Sequence, residues 1–202
     1  MALAQLASHA ASDETFFVWL GEGLACEREV TFAQLWTTAG DLAATMLLGE
    51  LRLAAGDRAL CCYAPGPEFY FAFWACLRAS VVAVPVYPPD PSKMQKALDK
   101  LALVQSSCGA RVCLTDATVD LLRQTTGLFY SWPDGLAWHS TGGRARGAPT
   151  TATTALLDGA TADDLAFLQF TSGSTGIVAA SGIDGGDASR RHRGAEAEHH
   201  TR

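Results

Sequence analysis

No lysine occurs after Lys100 in this chain of 202 residues, and residues 177–202 contain no Phe, Trp, Tyr, Leu, Met or Pro. A segment so poor in large apolar groups is not expected to bury enough surface to fold by itself. The six cysteines form no Cys-x-x-Cys pair, and no histidine lies at ligand spacing from them. That argues against a zinc site or a disulfide framework and for a reduced, intracellular setting, here the cytoplasm. Basic charge is scarce. The formal net charge is −6, and the one close group of arginines, Arg190, Arg191 and Arg193, is diluted by Asp184, Asp187, Glu196 and Glu198. Nothing in that balance points to a nucleic-acid surface. Long apolar runs are also missing. The most apolar stretch, Phe69–Leu77, is bounded by Glu68 and Arg78 and is too short to cross a bilayer. The opening residues have no basic segment followed by an apolar core, so no secretory leader is expected. No internal repeat is visible.

What is present is a globular composition, 49% hydrophobic and 18% charged. Leu3–Ala11 has helical spacing, and Thr15–Gly21 is rich in strand formers. Thr31 reads as the N-cap of a helix carrying Leu35, Leu42 and Met46 on one side, with Gly49 as its stop. From Gly56 onward strand and helix alternate. "DRALCCYAPG" is an apolar strand ending in a Pro-Gly turn. Pro67 opens a helix with Glu68 in its first turn. "VVAVPV" is a strand predicted to end near Val84, because Pro85 cannot donate to a ladder. Ser92 caps a helix that presents Met94, Ala97, Leu98, Leu101 and Val104 and stops at Gly109. "RVCLTD" and "ATVDLLRQTTG" repeat the pair. Ser140–Thr154 reads as a loop, and "DDLAFLQF" as a last strand. Continuously apolar strands between helices predict an α/β fold, a mostly parallel sheet covered on both faces.

That last strand delivers "TSGSTG". Thr171, Ser172, Ser174 and Thr175 carry hydroxyls, and Gly173 and Gly176 allow positive φ and close backbone approach. Successive N–H groups can wrap an anion, with the hydroxyls as further donors. No Gly-Lys-Ser/Thr follows, so it is not a Walker loop. An ordinary Ser/Thr/Gly turn after a strand is the alternative on the hexapeptide alone. Ser172 and Ser174 lack the Gly-x-Ser-x-Gly elbow of an acyl-enzyme nucleophile. The five tryptophans, Phe69, Phe71 and Phe73 read as packing, and His9, His139 and the tail histidines as lacking a partner pattern.

In context, "LAFLQFTSGSTG" resembles the phosphate-binding signature of the adenylate-forming, or AMP-binding, enzymes. "REVTFAQLWTTAGDLA" is similar to that superfamily's N-terminal strand and helix, and residues 56–91 to its next βαβ unit. "VPVYPPDP" and "AFLQFTSGST" are most similar to fatty acyl-AMP ligases among its branches. The resemblance covers Leu3 to Gly176. It implies attack of an acid's carboxylate on the α-phosphorus of ATP, release of pyrophosphate and formation of an acyl adenylate, with Mg²⁺ offsetting charge on the phosphates. Thr171, Ser172, Gly173, Ser174, Thr175 and Gly176 would hold the β- and γ-phosphates. A fatty acid is the implied substrate, and coenzyme A or an acyl carrier protein the implied acceptor.

The chain departs from the signature after Gly176. The family continues with Pro-Lys-Gly, whereas Ile177, Val178, Ala179 and Ala180 follow here. Its adenine- and acid-binding segments and its C-terminal domain have no counterpart. Residues 1–176 are therefore read as the N-terminal part of an adenylation domain, incomplete, and residues 177–202 as a disordered tail foreign to the family. Two functions stay open: a fragment of an acid-AMP ligase, inactive alone, or a non-catalytic module that binds a nucleotide or a partner. Sheet surfaces meant for the missing half would face water, so low stability and aggregation are expected.

Overall fold

The computed structural model describes residues 2–142, 150–161, 163–172 and 178–184. Helix α1 (Ala2–Ser8) leads to an antiparallel hairpin, β1 (Thr15–Leu20) and β2 (Cys26–Thr31). Thr31 then caps α2 (Phe32–Asp41) as expected. Its hydroxyl accepts from the Gln34 N–H while the Gln34 side chain accepts from the Thr31 N–H, a reciprocal pair that satisfies two orphan donors. The helix does not stop at Gly49. It continues as a π-helical stretch through Glu50, ending where Leu51 N–H donates to the Met46 carbonyl at 2.8 Å. Six of its residues are buried, so packing outweighs the poor helix propensity of glycine.

The main sheet has the order β6-β5-β3-β4-β7-β8. Five neighbours, β6 (Ala137–Ser140), β5 (Val112–Thr115), β3 (Arg58–Cys62), β4 (Val82–Val86) and β7 (Leu165–Ser172), run parallel, and β8 (Val178–Asp184) pairs antiparallel to β7. The expected parallel α/β architecture is thus what the chain builds. Helix α3 (Glu68–Arg78) connects β3 to β4, α4 (Met94–Cys108) connects β4 to β5, and α5 (Ala117–Thr126) connects β5 to β6.

Residue parity divides the core between the two faces. Ala59, Cys61, Ala83 and Leu114 pack with Ala72, Ala75 and Cys76 of α3 and with Leu42, Met46 and Leu47 beyond α2. Leu60, Cys62, Val84 and Cys113 pack on the other face with Leu101, Val104 and Cys108 of α4 and Val119 of α5. Both sides of each central strand are buried, which explains why the strands read as unbroken apolar runs. All six cysteines are free and five are buried as small hydrophobes.

Four boundaries differ from expectation. Strand β4 runs through Pro85 to Val86, in parallel register with Cys61 and Cys62 of β3. Successive residues direct their N–H groups to opposite sides of a strand, so one proline deprives a single side of the ladder. The cap before α4 is Asp90, whose Oδ1 accepts from the Ser92 N–H at 2.9 Å and the Ser92 hydroxyl at 2.8 Å; a 3₁₀ turn, Pro91–Lys93, precedes the helix. The loop after β6 ends in one helical turn, α6 (Thr151–Thr154), capped by Thr150. Finally, residues 178–184 of the expected tail form β8. Main-chain pairing with β7 supplies the ladder bonds, so that segment does not need large apolar side chains to join a sheet. Residues 185–202 lie outside the described residues.

Candidate functional site

In a parallel α/β sheet the strand ends that carry chemistry are the carboxyl ends, where the connections leave the sheet. Here α3 leaves β3 toward one face and α4 leaves β4 toward the other, opening a crevice between two adjacent strands. The strand registers allow one row to be followed across that rim. Cys62 is paired with both Thr115 and Val86, and Thr115 with Ser140. The next residues along, Thr141, Asp116, Tyr63 and Tyr87, therefore stand level. Ala83 is paired with Phe167, which sets β7 beside β4 on the same sheet.

The row is tied together by hydrogen bonds. Asp116, the N-cap of α5, accepts from the Val119 N–H at 2.8 Å and from the Ala64 N–H at 2.6 Å. The second bond fixes the start of the Ala64-Pro65-Gly66 turn after β3. The Thr115 hydroxyl donates to the Cys62 carbonyl at 2.7 Å, and the Tyr63 and Thr141 hydroxyls share a bond of 2.9 Å. Burial pushes the Tyr63 phenol well above its usual range, so it stays protonated and able to donate. These groups stiffen the rim. Asp116 has a sequence signal, a carboxylate between a strand and a helical run. Tyr63 and Thr141, 78 residues apart, have none.

Of the six predicted phosphate-binding residues, the structure places Thr171 and Ser172, by their main chain, as the last two of β7, paired with Ala179 and Val178. Gly173, Ser174, Thr175 and Gly176 lie outside the described residues. The strand thus delivers the first two to the expected rim, and Ser172 and Val178, the residues that flank residues 173–177, are register partners. Among the described residues no group of three or more His, Cys, Asp or Glu could hold a metal ion. Neither is any described helix long and apolar enough to cross a membrane.

A cavity of about 290 Å³ lies elsewhere, lined by Leu3, Ala7, Trp36, Leu77, Val81 and Leu165 among others. It sits at the amino ends of β4 and β7, opposite the rim, so its size does not make it the site. Beside it the buried Arg78 guanidinium donates to Asp158 at 2.9 and 2.8 Å and to the Trp36 carbonyl at 2.7 Å, with its Cζ 3.6 Å from the centre of the Trp36 ring.

Comparison with known proteins decides the family. The AMP-binding enzyme family model matches residues 4–177. The chain belongs to that family. A medium-chain-fatty-acid–[acyl-carrier-protein] ligase, JamA of Moorena producens (strain JHB), is 30% identical over 175 residues, which is 86% of this chain and 28% of the relative. The human Disco-interacting protein 2 homolog A is 29% identical over 180 residues, 87% of this chain and 11% of that protein. A crystal structure of a fatty acyl-adenylate ligase from L. pneumophila, in complex with acyl adenylate and pyrophosphate, matches with a TM-score of 0.69 and 25% identity over 90% of this chain and 30% of that one. Peptide-synthetase adenylation domains share the fold at lower identity. The chain spans less than a third of the length of these relatives.

Proposed function

We propose that this chain is the N-terminal part of an ATP-dependent ligase that converts a carboxylic acid, a fatty acid above all, to its acyl adenylate. The observation that carries the reading is the delivery of Thr171 and Ser172 by β7 to the carboxyl rim of a sheet of the AMP-binding enzyme family. In the reaction a carboxylate oxygen bonds to the α-phosphorus of ATP, the bond to the β-phosphate bridging oxygen breaks, and pyrophosphate leaves with the electron pair. Charge gathers on the β- and γ-phosphates, where preorganised donors act best. Thr171, Ser172, Gly173, Ser174, Thr175 and Gly176 would supply main-chain N–H groups and hydroxyls there. Mg²⁺ would arrive with the nucleotide and offset the charge on its phosphates, a role that demands few protein ligands. The acceptor is a thiol, of coenzyme A or of an acyl carrier protein's phosphopantetheine arm; the likeness to JamA, an acyl-carrier-protein ligase, favours the carrier. The cytoplasm, which holds ATP and both thiols, is the compartment that fits.

Residues 1–176 form the family-like portion in this reading. Beyond Gly176 the family's Pro-Lys-Gly is replaced by Ile177, Val178, Ala179 and Ala180. That replacement favours a second reading for the 202-residue chain itself, a nucleotide- or partner-binding module without turnover. Calorimetric titration of the chain with MgATP, alongside ATP–pyrophosphate exchange by a version continued through the family's remaining length, separates the two. Binding by the short chain and fatty-acid-dependent exchange by the long one support the ligase reading. Binding without exchange in the long version, across several chain lengths of fatty acid, leaves the module. No binding by either refutes both as nucleotide proteins. The intact mass of the native product shows which form the cell makes: a mass near 21.3 kDa identifies the short chain.

A further inference from the structure

The cavity of about 290 Å³ at the amino ends of β4 and β7 lies away from the carboxyl rim. A closed apolar cavity of about 150 Å³ takes up benzene, so this space has room for a bicyclic group or an alkyl chain of several carbons. Its walls are apolar: Leu3 and Ala7 of α1, Trp36 of α2, Leu77 of α3, Val81 and Leu165. Those walls are held in place. Arg78 donates to the Trp36 carbonyl and to both carboxylate oxygens of Asp158, which fixes α2, α3 and the chain before β7 around the space. Ser80 and Asp158, also in the lining, adopt φ +55° and +61°, a costly left-handed backbone for residues other than glycine. Main-chain bonds hold both: Gly56 N–H donates to the Ser80 carbonyl at 2.8 Å, and Asp158 N–H to the Arg78 carbonyl at 2.7 Å. A pocket already built loses little order when a ligand enters.

The charge around the cavity has one sign. No lysine, arginine or histidine is among its lining residues, and its two carboxylates are Asp158 and Asp164. Arg78 neutralises Asp158. Among the described residues no cation forms an ion pair with Asp164. Its Oδ2 accepts from the Thr161 N–H at 2.7 Å and from the Thr161 hydroxyl at 3.0 Å. Those two bonds hold the carboxyl below its ordinary range, so it is charged at neutral pH. Both fall on one oxygen, which leaves Oδ1 for a donor from outside.

We propose that this cavity is a second binding site, for a small amphipathic amine. Its apolar group would lie against Trp36, Leu77, Val81 and Leu165, with its ammonium beside Asp164. An acid of the same shape would set its carboxylate against Asp164 and is disfavoured. The proposal is independent of the nucleotide reading.

The test is calorimetric titration of the 202-residue chain with hexylammonium, 1-hexanol, hexanoate and methylammonium. Hexylammonium is expected to bind roughly two- to fivefold more tightly than hexanol, as an exposed charge pair allows. Hexanoate should bind more weakly than hexanol, and methylammonium, a head group without an apolar body, should give no measurable binding. Asp164→Asn keeps a carbonyl to accept from Thr161, so the fold should stand, as circular dichroism will check. It should bring hexylammonium down to the affinity of hexanol and leave hexanol unchanged. Ala7→Trp, on the exposed side of α1, should fill the space and abolish binding of both. No binding of hexylammonium by the parent chain overturns the proposal. So does equal affinity for hexylammonium and hexanol, or an Asp164→Asn variant that still separates them. Undiminished binding by a folded Ala7→Trp variant places the ligand elsewhere and overturns it too.

Discussion

Arg78 and Asp158 join elements that are far apart in sequence, and the cost of separating them can be worked from the structure. Arg78 ends α3 and its side chain is 7% exposed, while Asp158, just after α6 on the way to β7, has a side chain 32% exposed. The fork-shaped pair is bidentate, and the remaining guanidinium nitrogen donates to the Trp36 carbonyl of α2. One side chain therefore pins α2, α3 and the approach to β7 together. Asp158 also adopts φ +61°, a left-handed conformation that asparagine tolerates better than alanine. Asp158→Asn is thus the cleaner perturbation, since it removes charge and one acceptor without adding backbone strain. Removing one partner of a fully buried pair costs about 3–5 kcal/mol. Water reaches a third of this carboxylate, and asparagine keeps one acceptor, so about 1.5–3 kcal/mol is expected. Arg78→Met keeps the apolar stem under Trp36 and loses three hydrogen bonds, at a cost of about 1–3 kcal/mol. In the Arg78→Met background no guanidinium is left stranded, and Asp158→Asn should then cost under about 0.5 kcal/mol. The assay is urea unfolding of the four proteins in a double-mutant cycle. Destabilisation of Asp158→Asn within about 0.5 kcal/mol of zero, or strict additivity in the double variant, would refute the reasoning.

Gly40 lies in α2 where a Cβ would stand 2.3 Å from Nη1 of Arg78 and 3.0 Å from its Cζ. Gly40→Ala should gain about 1 kcal/mol in helix propensity yet destabilise by about 1–2 kcal/mol net as Arg78 is pushed off Asp158; a raised urea midpoint would overturn this. Asp116→Ala removes the acceptor for the Ala64 and Val119 N–H groups and should cost about 1–3 kcal/mol, with faster hydrogen exchange at both amides; exchange unchanged at Ala64 would show that the turn after β3 does not depend on Asp116. The Cys76 and Cys113 thiols and the Tyr63 phenol are all pushed well above their ordinary ranges, Cys76 chiefly by its bond to Cys61 and the other two chiefly by burial. Groups whose pKa is raised on folding leave stability intact below the unfolded thiol value of about 8.5 and erode it above, by up to about 1.4 kcal/mol per group for each pH unit once the unfolded group ionises. The urea midpoint should fall steadily from pH 8.5 to 10.5, and a flat profile in the parent chain would contradict the burial of these groups.

How legible each element was in the sequence follows from where its determinants lie. Strands β3 and β5 and helices α2, α3, α4 and α5 were legible because they carry their own signals: apolar runs, helical spacing, and caps such as Thr31 before α2 and Gly109 after α4. Strand β6 was not, because Ala137, Trp138, His139 and Ser140 include no β-branched residue and alternate weakly. Its membership is set by pairing with β5, a contact between distant segments. The same holds for the strand order and for Arg78–Asp158, 80 residues apart. Pro85 misled because the rule against proline applies to a ladder's donors, and a strand has donors on two sides. At the site, the glycines and hydroxyls of 171–176 were visible as a motif.

Strand β8 bears on how a phosphate loop could work here without its lysine. Ser172 and Val178 face each other in the β7–β8 ladder, so residues 173–177 begin and end at one point of the rim. Holding the two ends of a short segment together lowers the entropy cost of closing it around an anion. Without a lysine, its attraction for phosphate would come from neutral N–H and hydroxyl donors and not from a cation. Neutral donors have no long-range attraction to be screened, so ATP affinity held this way should weaken little as salt is raised from 50 to 500 mM. Binding that depends on lysine or arginine would fall steeply over the same range. The salt series therefore reports which kind of group grips the phosphates, whatever the affinity turns out to be.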